Sequence, residues 1–184
     1  SAGQTRINAA LVSNGGSWQL TGQAAINTDV LQNSGTLYVQ SDASFNIKDL
    51  DNSGDLLFAA DQGPVWTGLM QLNNSGRLQI NARDYSFNLT GALINSGELL
   101  HLGEGVFSLS AAQLNNSGSV LSNQQLDLKS DDFINSGTVS AKLLQMQAAT
   151  LTNSGEIIAE QLTLSAQRLL NDGGTLVSLS DQAG

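Results

Sequence analysis

The sequence predicts an all-β protein, a right-handed parallel β-helix of about nine coils with about 20 residues in each coil. Three observations support this fold class. The tripeptide Asn-Ser-Gly occurs seven times at nearly regular spacing, apolar residues keep fixed distances from it, and the residues after it alternate between apolar and polar. Repeats of this length bury their apolar faces only by stacking on one another. We therefore expect residues 1–184 to form a single β-helix repeat segment.

The turn defines the repeat. Its asparagines are separated by 18 to 22 residues and are Asn14, Asn33, Asn52, Asn74, Asn95, Asn116, Asn135, Asn153 and Asn171. Glycine follows two residues later in every copy, as Gly16, Gly35, Gly54, Gly76, Gly97, Gly118, Gly137, Gly155 and Gly173. We predict that the asparagine amides bond from coil to coil, as in cross-β ladders. The glycines are expected to supply the positive φ angle of a tight bend.

Apolar residues flank the turn on both sides. The residue two before each asparagine is apolar in all nine copies, and the residue four after it is apolar in eight. Thr175 is the exception, and Leu176 beside it indicates that the extra Gly174 shifts the register. Period-2 alternation follows the turn at Leu37–Val39 and recurs at Phe45–Ile47. Each unit is therefore predicted to be turn, strand, bend and strand, with no helix.

A leucine-rich repeat is the competing solenoid of similar period. Its frame needs leucines four, six and nine residues before the asparagine. Those positions are largely polar in this chain, so the β-helix is favoured. Nine coils stacked at the strand spacing of about 4.8 Å predict a rod on the order of 40 Å long.

Composition restricts the classes of partner. The chain has no cysteine and a net charge of −9, with 12% charged residues. Clustered basic residues are needed to neutralise phosphates, so no nucleic-acid partner is expected. No apolar run approaches the roughly 20 residues of a membrane-spanning helix, so no transmembrane segment is expected. Because no initiating methionine or signal peptide is present, we expect the chain to be a fragment of a much longer protein.

The repeat resembles a known family. Coils of the form apolar-x-Asn-x-Gly-x-apolar-x-apolar, best preserved at residues 151–174, are similar to the haemagglutinin repeats of two-partner secretion exoproteins. These include filamentous haemagglutinin adhesins and the toxins of contact-dependent growth inhibition. The resemblance covers about residues 5–180. It implies a β-helix exported through an outer-membrane transporter and folded at the surface of, or outside, a Gram-negative bacterium, where it meets a target-cell receptor or glycan.

Some polar residues invite a catalytic interpretation. Asp55, Arg77 and Glu98 occupy equivalent positions in consecutive coils, and charged rows on a β-helix face can form polysaccharide-cleaving sites. Because the signs alternate and no second acidic pair accompanies them, we interpret the row as an ion-pair ladder. His101 has no placed carboxylate partner and is interpreted as structural. Asp172 lacks the nine-residue period of a calcium-binding repeat. We therefore predict no catalytic, metal-binding or cofactor-binding residue.

The third coil is the longest and least regular. It contains Pro64, the only proline, and Trp66, one of two tryptophans. Proline cannot donate to a strand ladder, so it predicts a bulge. Pro64 and Trp66 are therefore candidates for a recognition loop. The alternative is that Val65 and Trp66 fill the core of a wider coil.

Three hypotheses for function follow. The first, which the resemblance favours, is a structural shaft segment that presents binding or toxic regions of a secreted exoprotein to target cells. The second is that the segment is itself a receptor- or glycan-binding module, with residues 61–70 as the contact. The third is a polysaccharide-processing β-helix enzyme that uses Asp55 or Glu98. We expect the chain not to be an enzyme.

Overall fold

A computed structural model describes residues 3–40 and 43–179, which form strands and no helix. The strands are β1 (Thr5–Asn8), β2 (Leu11–Asn14), β3 (Ser17–Leu20), β4 (Ala24–Asn33), β5 (Thr36–Val39), β6 (Ala43–Asn52), β7 (Asp55–Phe58), β8 (Val65–Thr67), β9 (Gln71–Asn74), β10 (Arg77–Ile80), β11 (Tyr85–Asn88), β12 (Ala92–Asn95), β13 (Glu98–His101), β14 (Val106–Asn116), β15 (Ser119–Ser122), β16 (Gln125–Asn135), β17 (Thr138–Asn153), β18 (Glu156–Asn171) and β19 (Thr175–Ser178).

All strand pairings in these residues are parallel and join each coil to the next. This confirms the predicted parallel β-helix of about nine coils. Equivalent apolar residues lie directly above one another, as Leu56, Leu78 and Leu99 do, and all three are fully buried. Burying one such side chain contributes roughly 2 kcal/mol.

Each coil contains three strand segments, whereas the sequence predicted two. In the fourth coil they are β10, β11 and β12. The third segment points Leu93 and Asn95 inward, while Ile94 is exposed. An inward asparagine breaks the apolar alternation by which a half-buried strand is recognised, so this segment has no period-2 pattern.

The apolar residue two before the asparagine is buried in eight copies: Val12, Leu31, Leu50, Leu72, Leu93, Leu114, Phe133 and Leu151. In the ninth copy Leu169 is 45% exposed. Among the described residues, β19 covers only Glu156–Ala159 of β18, so no strand packs over Leu169. Leu176 pairs with Ile157, which confirms the shift of register by one residue.

The turn glycines differ from the prediction in their backbone conformation. Of the nine, only Gly173 has a positive φ, of 74°. The seven from Gly35 to Gly155 are required by close approach instead, whereas a Cβ at Gly16 would meet nothing within 4 Å. A Cβ at Gly97 would overlap the carbonyl oxygen of Gly76, and the same overlap recurs from Gly35 to Gly155.

Backbone hydrogen bonds cause this close approach. The N–H groups of Ser96 and Gly97 both donate to the Asn74 carbonyl oxygen, at 2.8 and 3.1 Å. Two successive donors on one acceptor draw the turns together until a side chain no longer fits. Glycine is therefore required here because the neighbouring coil leaves no room for a side chain, and not because its own φ angle is positive.

We predict that Gly97→Ala lowers the free energy of unfolding by about 3 kcal/mol, because the new methyl group pushes two coils apart. Gly16 is the matched control, since a Cβ there meets nothing within 4 Å. Gly16→Ala should change stability by less than about 0.5 kcal/mol. Urea unfolding of the two variants checks this, and equal losses would contradict the steric account.

Candidate functional site

The nine turn asparagines form a continuous file of side-chain hydrogen bonds. Each Nδ2 donates to the Oδ1 of the next asparagine at 2.8 Å, along the series Asn14, Asn33, Asn52, Asn74, Asn95, Asn116, Asn135, Asn153 and Asn171. The first eight side chains are at most 6% exposed, whereas Asn171 is exposed.

Each interior amide also binds backbone on both sides. Asn95 Nδ2 donates to the Gly97 carbonyl oxygen of its own turn at 3.2 Å and to the Ser119 carbonyl oxygen of the next coil at 3.0 Å. The amide therefore joins two turns to each other and to the start of the next strand. A buried amide that lost this register would leave several groups unpaired, which makes the file a device for alignment.

The charged row lies on the surface as predicted. Arg77 pairs with both Asp55 and Glu98 in the strand register, and all three side chains are exposed. Arg77 Nε lies 3.8 Å from Glu98 Oε2, and Arg77 also donates to Gln79. An exposed pair of this kind contributes at most about 1 kcal/mol.

His101 lies in the core, fully buried, with both ring nitrogens engaged. Its Nδ1 is 3.0 Å from Ser122 Oγ and its Nε2 is 2.9 Å from the Ala82 carbonyl oxygen. The ring stacks on Phe107 at 5.1 Å. Burial lowers the pKa of His101, and the hydrogen bond to Ala82 opposes this only in part. In the strand register His101 lies between Ile80 of the preceding coil and Ser122 of the following coil, so it occupies a core position.

Trp66, in the third coil, is half-buried against the aromatic core. Its ring lies 4.8 Å from Phe45 and 5.7 Å from Phe87. Its Nε1–H donates to Tyr85 Oη at 2.6 Å. Val65 is 66% exposed, so the alternative that both residues fill the core holds only for Trp66.

The Tyr85 side chain belongs to the fourth coil and contacts Gly63 and Pro64 of the third coil. Its hydroxyl donates to the Pro64 carbonyl oxygen at 2.6 Å. Burial raises the pKa of Tyr85, so the phenol keeps the proton that this bond needs. Gly63 has a φ of 66°, and a Cβ there would overlap the Tyr85 ring. Pro64 itself is buried.

The ladder is interrupted beside this cluster. Strand β8 pairs with β6, and β11 pairs with β14, but within residues 3–40 and 43–179 no pairing joins β8 to β11. The same two coils remain paired on their other faces, through β7 with β10 and β9 with β12. A groove of about 730 Å³ opens along the break.

The sequence identified Pro64 and Trp66 as unusual but did not identify Tyr85 or the break. The available signal was the length of this coil, 22 residues after a coil of 19.

Among the described residues, no three histidine, aspartate or glutamate side chains cluster as metal ligands would. None of the described residues belongs to a helix that is long and apolar enough to cross a membrane.

Stacked parallel coils with an internal file of amides define this chain as a parallel β-helix repeat protein. A family model described as "Haemagglutinin repeat" matches residues 1–106, 75–157 and 139–183. The chain belongs to this haemagglutinin-repeat family, and its fold is that of a filamentous haemagglutinin-type shaft segment. Searches of curated proteins and of solved structures returned no match.

We predict that Asn95→Ala costs about 3 kcal/mol of unfolding free energy, because Asn74 loses an acceptor and Asn116 loses a donor in a buried file. Asn171→Ala, at the exposed end of the same file, should cost less than about 1 kcal/mol. Urea unfolding of both variants measures the difference. Similar losses would show that the file does not stabilise the stack.

We predict that acid weakens the folded state through His101. Because burial lowers the folded pKa, the unfolded chain binds a proton that the folded chain excludes. The stability from this residue is therefore complete above about pH 6.5 and falls as the pH drops below it. Urea midpoints at pH 7.5 and 5.5 should differ more in the wild type than in His101→Gln. Equal differences would contradict this assignment.

Proposed function

We propose that this chain is part of the shaft of a secreted, cell-surface exoprotein, and that the shaft projects an adhesive or toxic region toward target cells. The family and the stacked coils support the proposal. The observation that carries it is that the strand register and the type of inward-facing residue repeat from coil to coil. A shaft needs coils that stack, whereas a recognition or catalytic site needs one coil that differs from the others.

The seventh and eighth coils show this equivalence best. Strands β17 and β18 pair at 14 positions between Thr138 and Asn153, and the inward-facing residues of the two strands are of like kind. Val139 lies against Ile157, and Leu144 lies against Leu162. Backbone hydrogen bonds across such an interface are aligned with the stacking direction and share an axial load. The mechanism of the shaft is therefore mechanical.

Export is the second part of the proposal. The protein passes unfolded through an outer-membrane transporter of the two-partner secretion type and folds at the surface of a Gram-negative cell. The local pattern of contacts supports this route, because each coil pairs with residues 18 to 22 positions away. A coil can therefore fold onto its predecessor as soon as it emerges. The absence of cysteine is compatible with export before folding.

We predict that deletion of residues 136–153, one whole coil, leaves a folded β-helix. The deletion joins Asn135 to Ser154 and puts Glu156–Asn171 in the register that Thr138–Asn153 held. Small-angle scattering should show a rod shorter by about 5 Å, with an unchanged β-sheet spectrum. Deletion of residues 136–144 is the control, because half a coil places outward residues in the core. Unfolding by both deletions would contradict interchangeable coils.

The same whole-coil deletion tests the presentation role in the exported protein. Attachment to target cells, or their killing, should persist, since the deleted coil provides reach and makes no specific contact. Loss of that activity in a variant that is exported and folded would overturn the proposal. It would favour the hypothesis that the segment is itself the binding module.

A further inference from the structure

The third and fourth coils are paired on two of their three faces. Strand β7 pairs with β10 and β9 pairs with β12, whereas in the described part of the chain β8 and β11 do not pair. We propose that this junction is a hinge, at which the rod bends by opening and closing the face formed by β8 and β11. The inference rests on the proposed shaft function and deepens it, because it assigns to the shaft one place where its direction changes.

Two backbone hydrogen bonds mark the limits of the unpaired face. Asn81 N–H donates to the Phe58 carbonyl oxygen at 2.9 Å, and Gly91 N–H donates to the Met70 carbonyl oxygen at 3.0 Å. Within the described residues, every other step on this face from β1 to β18 is paired. A parallel ladder supplies evenly spaced hydrogen bonds along each strand. Its absence therefore lowers the resistance of this one face to separation of the two coils.

The asparagine file supplies the pivot. Each Asn-Ser-Gly turn joins the third strand segment of one coil to the first segment of the next, so the turns form the corner opposite the second segment, to which β8 and β11 belong. Asn52 Nδ2 donates to Asn74 Oδ1, and Asn74 Nδ2 donates to Asn95 Oδ1, both at 2.8 Å. The corner is thus bonded while the face opposite it is not, which is the arrangement of a hinge.

Side chains hold this face closed in the structure. Trp66 Nε1–H donates to Tyr85 Oη, and Tyr85 Oη–H donates to the Pro64 carbonyl oxygen, both at 2.6 Å. The rings of Trp66 and Phe87 are in contact, with centroids 5.7 Å apart. The two coils therefore touch at this face, and among the described residues the hydrogen bonds across it all pass through the Tyr85 hydroxyl. We call these two hydrogen bonds the clamp.

Two glycines flank β8. Gly63 and Gly68 lie before and after the strand, with φ angles of 66° and 75°. Glycine passes between positive and negative φ at little steric cost. Hinges are formed by a few residues at the ends of elements that absorb a change in φ and ψ. These two positions can therefore absorb the change in backbone direction that opening of the face requires.

Bending at this junction leaves the rest of the rod unchanged. Each coil of a solenoid contacts only its neighbours, so movement between the third and fourth coils does not disturb the coils on either side. A rod that is paired on all three faces keeps one direction. A rod with one hinge presents its end over a range of angles, which widens the space in which a shaft reaches a target cell.

The test measures distances along the outward residues of this face in the full chain. The chain has no cysteine, so introduced cysteines carry spin labels at chosen sites. One pair, Asn46→Cys with Lys129→Cys, spans four steps from coil to coil and includes the break. The matched pair, Asn88→Cys with Ser165→Cys, also spans four steps, and strands pair at each of them. All four residues are exposed, and each pair is about 19 Å apart.

Pulsed electron paramagnetic resonance should give a distance distribution at least twice as wide for the first pair as for the matched pair. Tyr85→Phe should widen the first distribution further, because phenylalanine keeps the ring and removes the clamp. It should leave the matched pair unchanged, since β11 stays paired with β14. Equal widths for the two pairs would overturn the hinge, and so would a first distribution that Tyr85→Phe leaves unchanged.

Hydrogen exchange of the Trp66 indole N–H gives an independent check. If the face opens locally, this proton should exchange at least tenfold faster than the backbone N–H of the buried Leu109, and its rate should not depend on low concentrations of urea. Exchange of both protons at one rate, with one urea dependence, would show that the face opens only on global unfolding and would overturn the proposal. A rigid junction would leave the shaft function in place, because the whole-coil deletion tests that function separately.

Discussion

The hydrogen bond between successive turn asparagines is the constraint on which the rest of the structure depends. It repeats at 2.8 Å along the described chain and is buried at every turn but the last. Apolar contacts alone do not fix the register completely, because a strand that slips by two residues still turns the same face toward the core. A buried amide tolerates no such displacement. Alignment of the amides aligns the turns, and the turns align three strand segments in each coil.

The period of the repeat was enough to predict the fold, since few folds are compatible with a turn that recurs every 18 to 22 residues beside apolar residues at fixed positions. The reason for the glycines was not predictable, because steric overlap between Gly97 and Gly76 belongs to two coils and no local pattern contains it. The third strand segment was hidden for a related reason. Its inward residues include Asn95, which resembles a surface residue in sequence and is fully buried in the structure.

The sequence showed that the third coil is irregular, but it did not show that the strand ladder is interrupted between the third and fourth coils. Pro64 and Trp66 indicated a departure from the repeat, whereas the departure is shaped by Tyr85, which lies one coil later and belongs to a segment of ordinary appearance. His101 is similar, because its burial depends on Ser122 and Ala82 in the adjoining coils. Contacts between coils determine both, and a single sequence shows only the contacts within a coil.

Hydrogen exchange of the asparagine side-chain amides tests the account most directly, because it observes the file without altering it. The Nδ2 protons of Asn33, Asn52, Asn74, Asn95, Asn116 and Asn135 should exchange far more slowly than those of the exposed Asn46 and Asn88. Slow exchange at every interior position would show that the amides are bonded from coil to coil in solution. Exchange of the interior amides as fast as that of Asn46 and Asn88, in a chain that is otherwise folded, would contradict the claim that the file sets the register.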